Sequence, residues 1–144
     1  MENSEIEGSL VPTSKRDAML LLECGYLWME MGQFDRAREG FAGASALMPK
    51  SDTPVLALGT LEFSLGRHAK ALQSYRGAQR ISPRSGLPRA YAAEALLFMG
   101  KVGEAMKEIQ AALDADPDGD GGRLAQALLE AKEAGALPPR KPGK

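Results

Sequence analysis

Apolar residues recur at helical spacing along most of the chain, in paired segments separated by short glycine turns. Each pair is followed by a proline, which ends its second segment because proline cannot continue a helix. The pairs are residues 18–31 with 34–48, 52–65 with 68–81, and 86–99 with 102–115. A last segment, residues 123–134, carries one apolar stripe that includes Leu124 and Leu128. This pattern predicts an all-α protein with seven helices.

The three pairs are copies of one unit. Gly32, Gly66 and Gly100 follow one another at intervals of 34 residues, with no insertion between them. Glycine suits the end of a helix because it takes the left-handed conformation without a Cβ penalty. Each copy then repeats an alanine, a large apolar residue, an alanine and a proline: Ala37, Phe41, Ala44 and Pro49; Ala71, Tyr75, Ala78 and Pro83; Ala105, Ile109, Ala112 and Pro117. The unit is therefore a helical hairpin, and stacked hairpins bury their apolar faces on one another.

The unit resembles the tetratricopeptide repeat, whose period is 34 residues. The resemblance implies a right-handed α-solenoid of three hairpins, at residues 18–51, 52–85 and 86–119. Segment 122–135 is then a capping helix that covers the last hairpin, and residues 17–135 form one domain. We expect the polar, acidic residues 1–16 to form a flexible arm and residues 136–144 a disordered basic tail.

Charge, hydrophobicity and cysteine content argue against several classes of protein. The net charge of −1 does not favour a nucleic-acid-binding protein. No apolar run approaches the length of a membrane-spanning helix, so no membrane association is expected. Cys24 is the single cysteine, which excludes an internal disulfide and fits either a reducing compartment or a protein that is indifferent to redox conditions. The acidic N-terminus has no secretion-signal pattern, and we expect a cytoplasmic protein.

The sequence predicts neither an enzyme nor a cofactor or metal site. It contains no catalytic triad, phosphate loop or metal-binding cluster, and we expect the single histidine, His68, to have a packing or surface role rather than a chemical one. Residues 116–121 match the first positions of a calcium loop, but Ala127 stands where that loop needs a bidentate glutamate. We interpret this segment as a turn in which an aspartate caps the next helix.

In tetratricopeptide repeats the first helix of each unit lines a concave groove at a fixed set of positions. Those positions are mostly apolar here, which favours a groove for an extended peptide with apolar anchors. The predicted groove residues are Met19, Leu22, Tyr26, Met29, Leu56, Thr60, Phe63, Ala90, Glu94 and Leu97. The alternative is that they are core, covered by the arm or by a second copy. Repeat domains that hold the acidic C-terminus of heat-shock chaperones use lysine, arginine and asparagine in this groove. Leu22, Tyr26, Ala57, Leu87 and Tyr91 stand there instead.

Basic residues concentrate in the second unit. Residues 67–89 include six basic residues and no acidic one. Arg76, Arg80 and Arg84 are spaced by four, which places at least the first two on one face of a helix. These arginines form either a solvated outer face or a second contact surface for an acidic partner. No aromatic interleaving or RNA-binding motif accompanies them, so nucleic acid is not expected.

Two segments resemble a narrower family, the class II chaperones of type III secretion translocators. They are residues 58–75, which include Leu58-Gly59 and Ser74-Tyr75, and residues 88–105, which begin Pro-Arg-Ala-Tyr-Ala-Ala-Glu. The resemblance implies a cytoplasmic chaperone that holds an extended apolar segment of a translocator, with Tyr26, Met29, Leu56 and Phe63 in the groove. A homodimer is a further expectation. The alternatives are an adaptor or assembly scaffold that docks a folded partner, and a needle-subunit chaperone of the same system.

Overall fold

The fold is known from a computed structural model that describes residues 13–140. Seven α-helices and no strands occur in this range. The helices are α1 (Thr13–Glu30), α2 (Phe34–Leu47), α3 (Thr53–Ser64), α4 (His68–Ile81), α5 (Leu87–Phe98), α6 (Val102–Ala115) and α7 (Asp120–Glu133). The predicted all-α fold of three hairpins and a last helix is confirmed. None of these helices combines the length and the apolar character needed to cross a membrane.

The three turns inside the hairpins have the same geometry. Gly32, Gly66 and Gly100 have φ angles of 79°, 78° and 78°. The N–H of the residue after each glycine donates to the carbonyl five residues earlier, at N···O distances of 2.7, 2.9 and 2.9 Å. This bond satisfies a carbonyl at the end of the helix, and the positive φ explains why glycine occupies the turn.

The repeated alanines and large apolar residues form the centre of each hairpin. Phe41, Tyr75 and Ile109 are at most 1% exposed, and the repeated alanines around them are fully buried. Each helix packs against the next along the chain, and α7 packs against both α5 and α6. The apolar side of the last hairpin is therefore covered by α7.

The ends of the domain differ from the sequence-based boundaries. Helix α1 begins at Thr13, so residues 13–16, which were predicted as part of a flexible arm, are helical. Serine and threonine in this stretch suit a helix start. Residues 1–12 of the predicted arm lie outside the described residues. At the other end, Leu137 packs on the apolar cluster of the last hairpin, although it was predicted to be in a disordered tail. Residues 141–144 of that tail lie outside the described range.

The turn before α7 has an aspartate cap. Asp116 accepts a hydrogen bond from the backbone N–H of Gly121 at 3.0 Å, and this free amide lies in the first turn of α7. A capping carboxylate stabilises the start of a helix. Helix α7 begins at Asp120, two residues before the predicted start at residue 122. Within residues 13–140, no group of three histidine, cysteine or acidic side chains is gathered closely enough to hold a metal ion.

Candidate functional site

The predicted groove residues differ in their exposure to solvent. Met19 and Tyr26 on α1 are 49% and 43% exposed. The half-buried members are Leu22, Met29, Leu56, Thr60, Phe63 and Glu94. These eight side chains are accessible to a ligand, and we call them the groove residues from here on.

The other two predicted members, Ala90 and Leu97, belong to the core. Both are fully buried, in a cluster that includes Ala125 and Leu128 of α7. Helix α7 packs against α5, and that contact removes these two side chains from solvent. Ala90 and Leu97 therefore cannot contact a ligand in this structure, and their assignment to the groove was wrong.

An aromatic cluster joins α3 to α5 beside the groove residues. The ring centroids of Phe63 and Phe98 are 4.8 Å apart, in an edge-on arrangement. His68, at the start of α4, lies 4.7 Å from Phe63 and 5.2 Å from Phe98 between ring centroids. The imidazole is thus packed among aromatic rings, and all three side chains are half-buried.

Two stacked tyrosines lie next to this cluster. The rings of Tyr75 on α4 and Tyr91 on α5 are 5.2 Å apart and nearly parallel. Burial raises the pKa of Tyr75, the charge of Glu94 and the phenol of Tyr91 raise it further, and a hydrogen bond with Thr60 opposes the shift. The polar atoms of Thr60, Tyr75, Tyr91 and Glu94 therefore lie close together. The sequence analysis placed Tyr91 at a groove position but did not include it among the predicted ligand contacts, although it lies one helical turn before Glu94.

Tyr26, on α1, lies close to Tyr91. The ring of Tyr26 packs edge-on against Phe41, with centroids 5.0 Å apart. The pKa of Tyr26 is raised by burial and by the nearby phenol of Tyr91. First helices of three successive units thus contribute aromatic or polar side chains to one region.

Two carboxylates, Glu94 and Asp120, lie near Tyr91, and they differ in their surroundings. Asp120 is exposed and pairs with Arg123, whereas no cation of the described residues pairs with Glu94. The side chain of Glu94 is half-buried, and burial raises its pKa. Within residues 13–140, no ion pair and no side-chain hydrogen bond involves Glu94. The other charged side chains of α3 and α5, Glu62 and Arg89, are each paired.

The basic surface of the second unit is smaller than its sequence indicated. Arg76 donates a hydrogen bond to Glu108 on α6, and Arg89 approaches the same carboxylate at 3.4 Å. The charge of Arg76 is therefore compensated inside the protein. Arg80 and Arg84 are exposed, but Arg84 follows the end of α4 at Ile81 and does not share a helical face with the other two.

Comparison with known proteins identifies the class of fold. A sequence model of the tetratricopeptide repeat matches residues 62–131. No curated protein was found to match the sequence of this chain. Together with the three equal hairpins and their identical turns, the match identifies a tetratricopeptide-repeat fold.

Among solved structures, the fold is similar to that of translocator chaperones of type III secretion. PcrH in complex with the chaperone-binding region of PopD has a TM-score of 0.71 at 25% identity, over 88% of this chain and 98% of PcrH. The Yersinia enterocolitica chaperone SycD, in complex with a peptide of the translocator YopD, has a TM-score of 0.69 at 20% identity, over 81% of this chain and 92% of SycD. The first repeat domain of Spaghetti, bound to an HSP90 peptide, has a TM-score of 0.66 at 19% identity, over 80% of this chain and 95% of that domain. The resemblance to translocator chaperones is therefore confirmed at the level of the fold.

Proposed function

We propose that this protein binds an extended apolar segment of another protein along its groove residues, as a cytoplasmic chaperone of a type III secretion translocator. The observation that carries the proposal is the convergence of accessible apolar and aromatic side chains from α1 and α3, with Tyr91 and Glu94 of α5 beside them. Exposed apolar surface of this kind marks a binding site more often than a passive surface. Met19 and Met29 add flexible side chains that repack around different ligands.

The solved structures support the choice of ligand. SycD holds a peptide of its translocator, and PcrH holds the chaperone-binding region of PopD. By analogy, the ligand of this chain is a segment of a secreted protein that needs its apolar side chains covered before export.

The Spaghetti domain supplies a contrast. Its HSP90 peptide, SRMEEVD, ends in an acidic sequence. An acidic peptide needs cations in the groove, and here Leu22, Tyr26, Ala57, Leu87 and Tyr91 occupy the corresponding positions. The carboxylate of Glu94 would also repel such a peptide. We therefore propose an apolar ligand rather than an acidic C-terminus.

Two other surfaces carry the alternative functions. The exposed pair Arg80 and Arg84 suits an adaptor that docks a folded acidic partner, and that contact would weaken with salt. Leu20 and Leu27 on α1, and Met31 just after it, are 57% to 68% exposed, and a second copy of the chain would cover them in a homodimer. A needle-subunit chaperone would use the same groove for a different secreted segment.

Affinity capture from the native host separates the groove from the outer surface. The groove variant carries Tyr26→Ala and Phe63→Ala, and the matched control carries Arg80→Ala and Arg84→Ala. We expect one secreted protein with an apolar segment to be recovered by the wild type and the arginine control, and lost with the groove variant. Circular dichroism must show the same helicity in all three proteins. Recovery of the same partners by the groove variant would overturn the proposal.

A further inference from the structure

We infer that the segment bound in the groove carries a lysine or arginine, and that its cation pairs with Glu94. The inference rests on the proposed function, since it names the chemistry of the ligand for the same groove. The apolar groove residues require only that the ligand be hydrophobic. The inference adds that the ligand must also carry one basic side chain.

The position of Glu94 argues for a charged partner. Its carboxylate is half-buried among the phenols of Tyr75 and Tyr91, which stack at 5.2 Å beside it. Glu62, the other acidic residue of α3 and α5, is already paired with Arg38 and Arg67. Within the part of the chain that the structure describes, Glu94 is the carboxylate on these two helices that accepts no hydrogen bond and forms no ion pair.

Binding of a ligand would raise the free-energy cost of desolvating the Glu94 carboxylate. A purely apolar segment lying over Leu56, Phe63 and Tyr26 would remove the remaining water from Glu94 without replacing it by a donor. Burying an unpaired charge in this way is strongly unfavourable. A lysine or arginine at that point of the segment would donate a charge-assisted hydrogen bond and offset the cost.

The aromatic surroundings favour a cation for a second reason. Burial raises the pKa of both Tyr26 and Tyr91. The phenol of Tyr91 lies close enough to Tyr26 to raise its pKa further, and Glu94 in turn raises the pKa of Tyr91 further. Aromatic faces attract ammonium and guanidinium groups within about 6 Å of the ring centre. A basic side chain that reaches Glu94 would thus also lie near the ring of Tyr91, whereas an acidic one would meet repulsion from the carboxylate.

A displayed library of random short peptides tests the inference, because it offers every side chain at every position of the bound segment. The library is selected separately on the wild type, on Glu94→Gln, on the control Glu30→Gln and on the groove variant Tyr26→Ala with Phe63→Ala. Glu30 is an exposed carboxylate at the end of α1, so it controls for general attraction of basic peptides. Selected peptides are then synthesised with each lysine replaced by norleucine, and their dissociation constants are measured by fluorescence anisotropy.

We expect the wild type and Glu30→Gln to select peptides with spaced apolar residues and a lysine or arginine at a constant offset from them. Replacing that lysine by norleucine should weaken binding to the wild type about tenfold, which is the scale of one hydrogen bond to a charged group. The same replacement should change binding to Glu94→Gln by no more than about twofold.

Two other results would contradict the inference, and they can be distinguished from each other. Selection of apolar peptides with no basic residue, or an equal lysine preference in Glu94→Gln, would overturn the role of Glu94 and leave the groove proposal in place. Failure to select any peptide that the groove variant loses would overturn the proposed function, and the role of Glu94 with it.

Discussion

Arg38 on α2 donates a hydrogen bond from Nε to Oε2 of Glu62 on α3 at 3.1 Å, and this contact joins the first hairpin to the second. Glu62 is only 8% exposed, and Arg67 approaches its other oxygen at 3.4 Å. Burial alone would raise the pKa of Glu62. The hydrogen bond from Arg38 and the charges of Arg38, Arg67 and Lys70 together lower it. The ionised carboxylate is therefore stabilised by the fold.

Replacing Glu62 by glutamine should destabilise the protein by about 1.5 kcal/mol, because two arginines lose their buried anionic partner. Asp35→Asn is the matched control, since Asp35 pairs with the same Arg38 but is 99% exposed. That exposed pair should contribute no more than about 0.5 kcal/mol. Urea unfolding at neutral pH measures both values. Equal losses in the two variants would show that the junction between hairpins does not depend on Glu62.

The same carboxylate makes stability depend on pH. Because the pKa of Glu62 is lowered in the folded state, its contribution is present above the unfolded value of 4.5 and is lost as pH falls through the folded-state pKa. The stability difference between the wild type and Glu62→Gln should therefore shrink in acid. A difference that stays constant down to the acid transition of the wild type would contradict this assignment.

Glu94 should show the opposite dependence on pH. Its pKa is raised above 4.5 by burial, so the folded state holds the proton more tightly than the unfolded chain does. The cost of the charged form is absent below 4.5 and grows as pH rises through the folded-state pKa. Glu94→Gln should accordingly be more stable than the wild type at neutral pH and equal to it in acid. Thermal melts across this range measure the difference, and a glutamine variant less stable at neutral pH would contradict the prediction.

The repeat period was enough to predict the helices, because the same residues recur at the same places in each hairpin. Helices α2, α4 and α6 begin at the residues that the pattern indicated, Phe34, His68 and Val102. The period could not show which copies of a position remain accessible. Leu97 is equivalent to Phe63 and Met29 in the repeat, but it is fully buried because α7 packs beside the last hairpin.

The ion pairs between hairpins could not be predicted from the sequence either. Arg76 lies in a stretch without acidic residues, so it was interpreted as part of a basic surface. Its partner, Glu108, comes from the following hairpin and is 32 residues away along the chain. Glu62 likewise stands where the other two hairpins have Trp28 and Leu96. Contacts between hairpins decide these pairings, and the spacing within one hairpin does not reveal them.

The last helix should contribute much of the stability of the domain. Leu128 is 4% exposed and packs with Ala93, Leu96 and Leu97 in the last hairpin. Leu128→Ala should cost about 3 kcal/mol, the usual effect of a leucine cavity in a core. The matched control is Leu27→Ala on α1, where the side chain is 57% exposed, and it should cost about 0.5 kcal/mol or less. Chemical unfolding compares the two. A small loss in Leu128→Ala would mean that α7 is not needed to cover the third hairpin.

Two glycine substitutions separate backbone strain from side-chain crowding. Gly66 has a φ of 78°, and a Cβ added there would meet no atom within 4 Å. Gly66→Ala should therefore destabilise the protein by about 1 kcal/mol through the left-handed conformation alone. Gly103, inside α6, also has open space around it but has an ordinary helical backbone. Gly103→Ala should instead stabilise the protein by about 0.5 kcal/mol, because alanine favours a helix over glycine. Urea unfolding of both variants measures the two signs. If Gly66→Ala were neutral, the positive φ would not be the reason that glycine occupies the three turns.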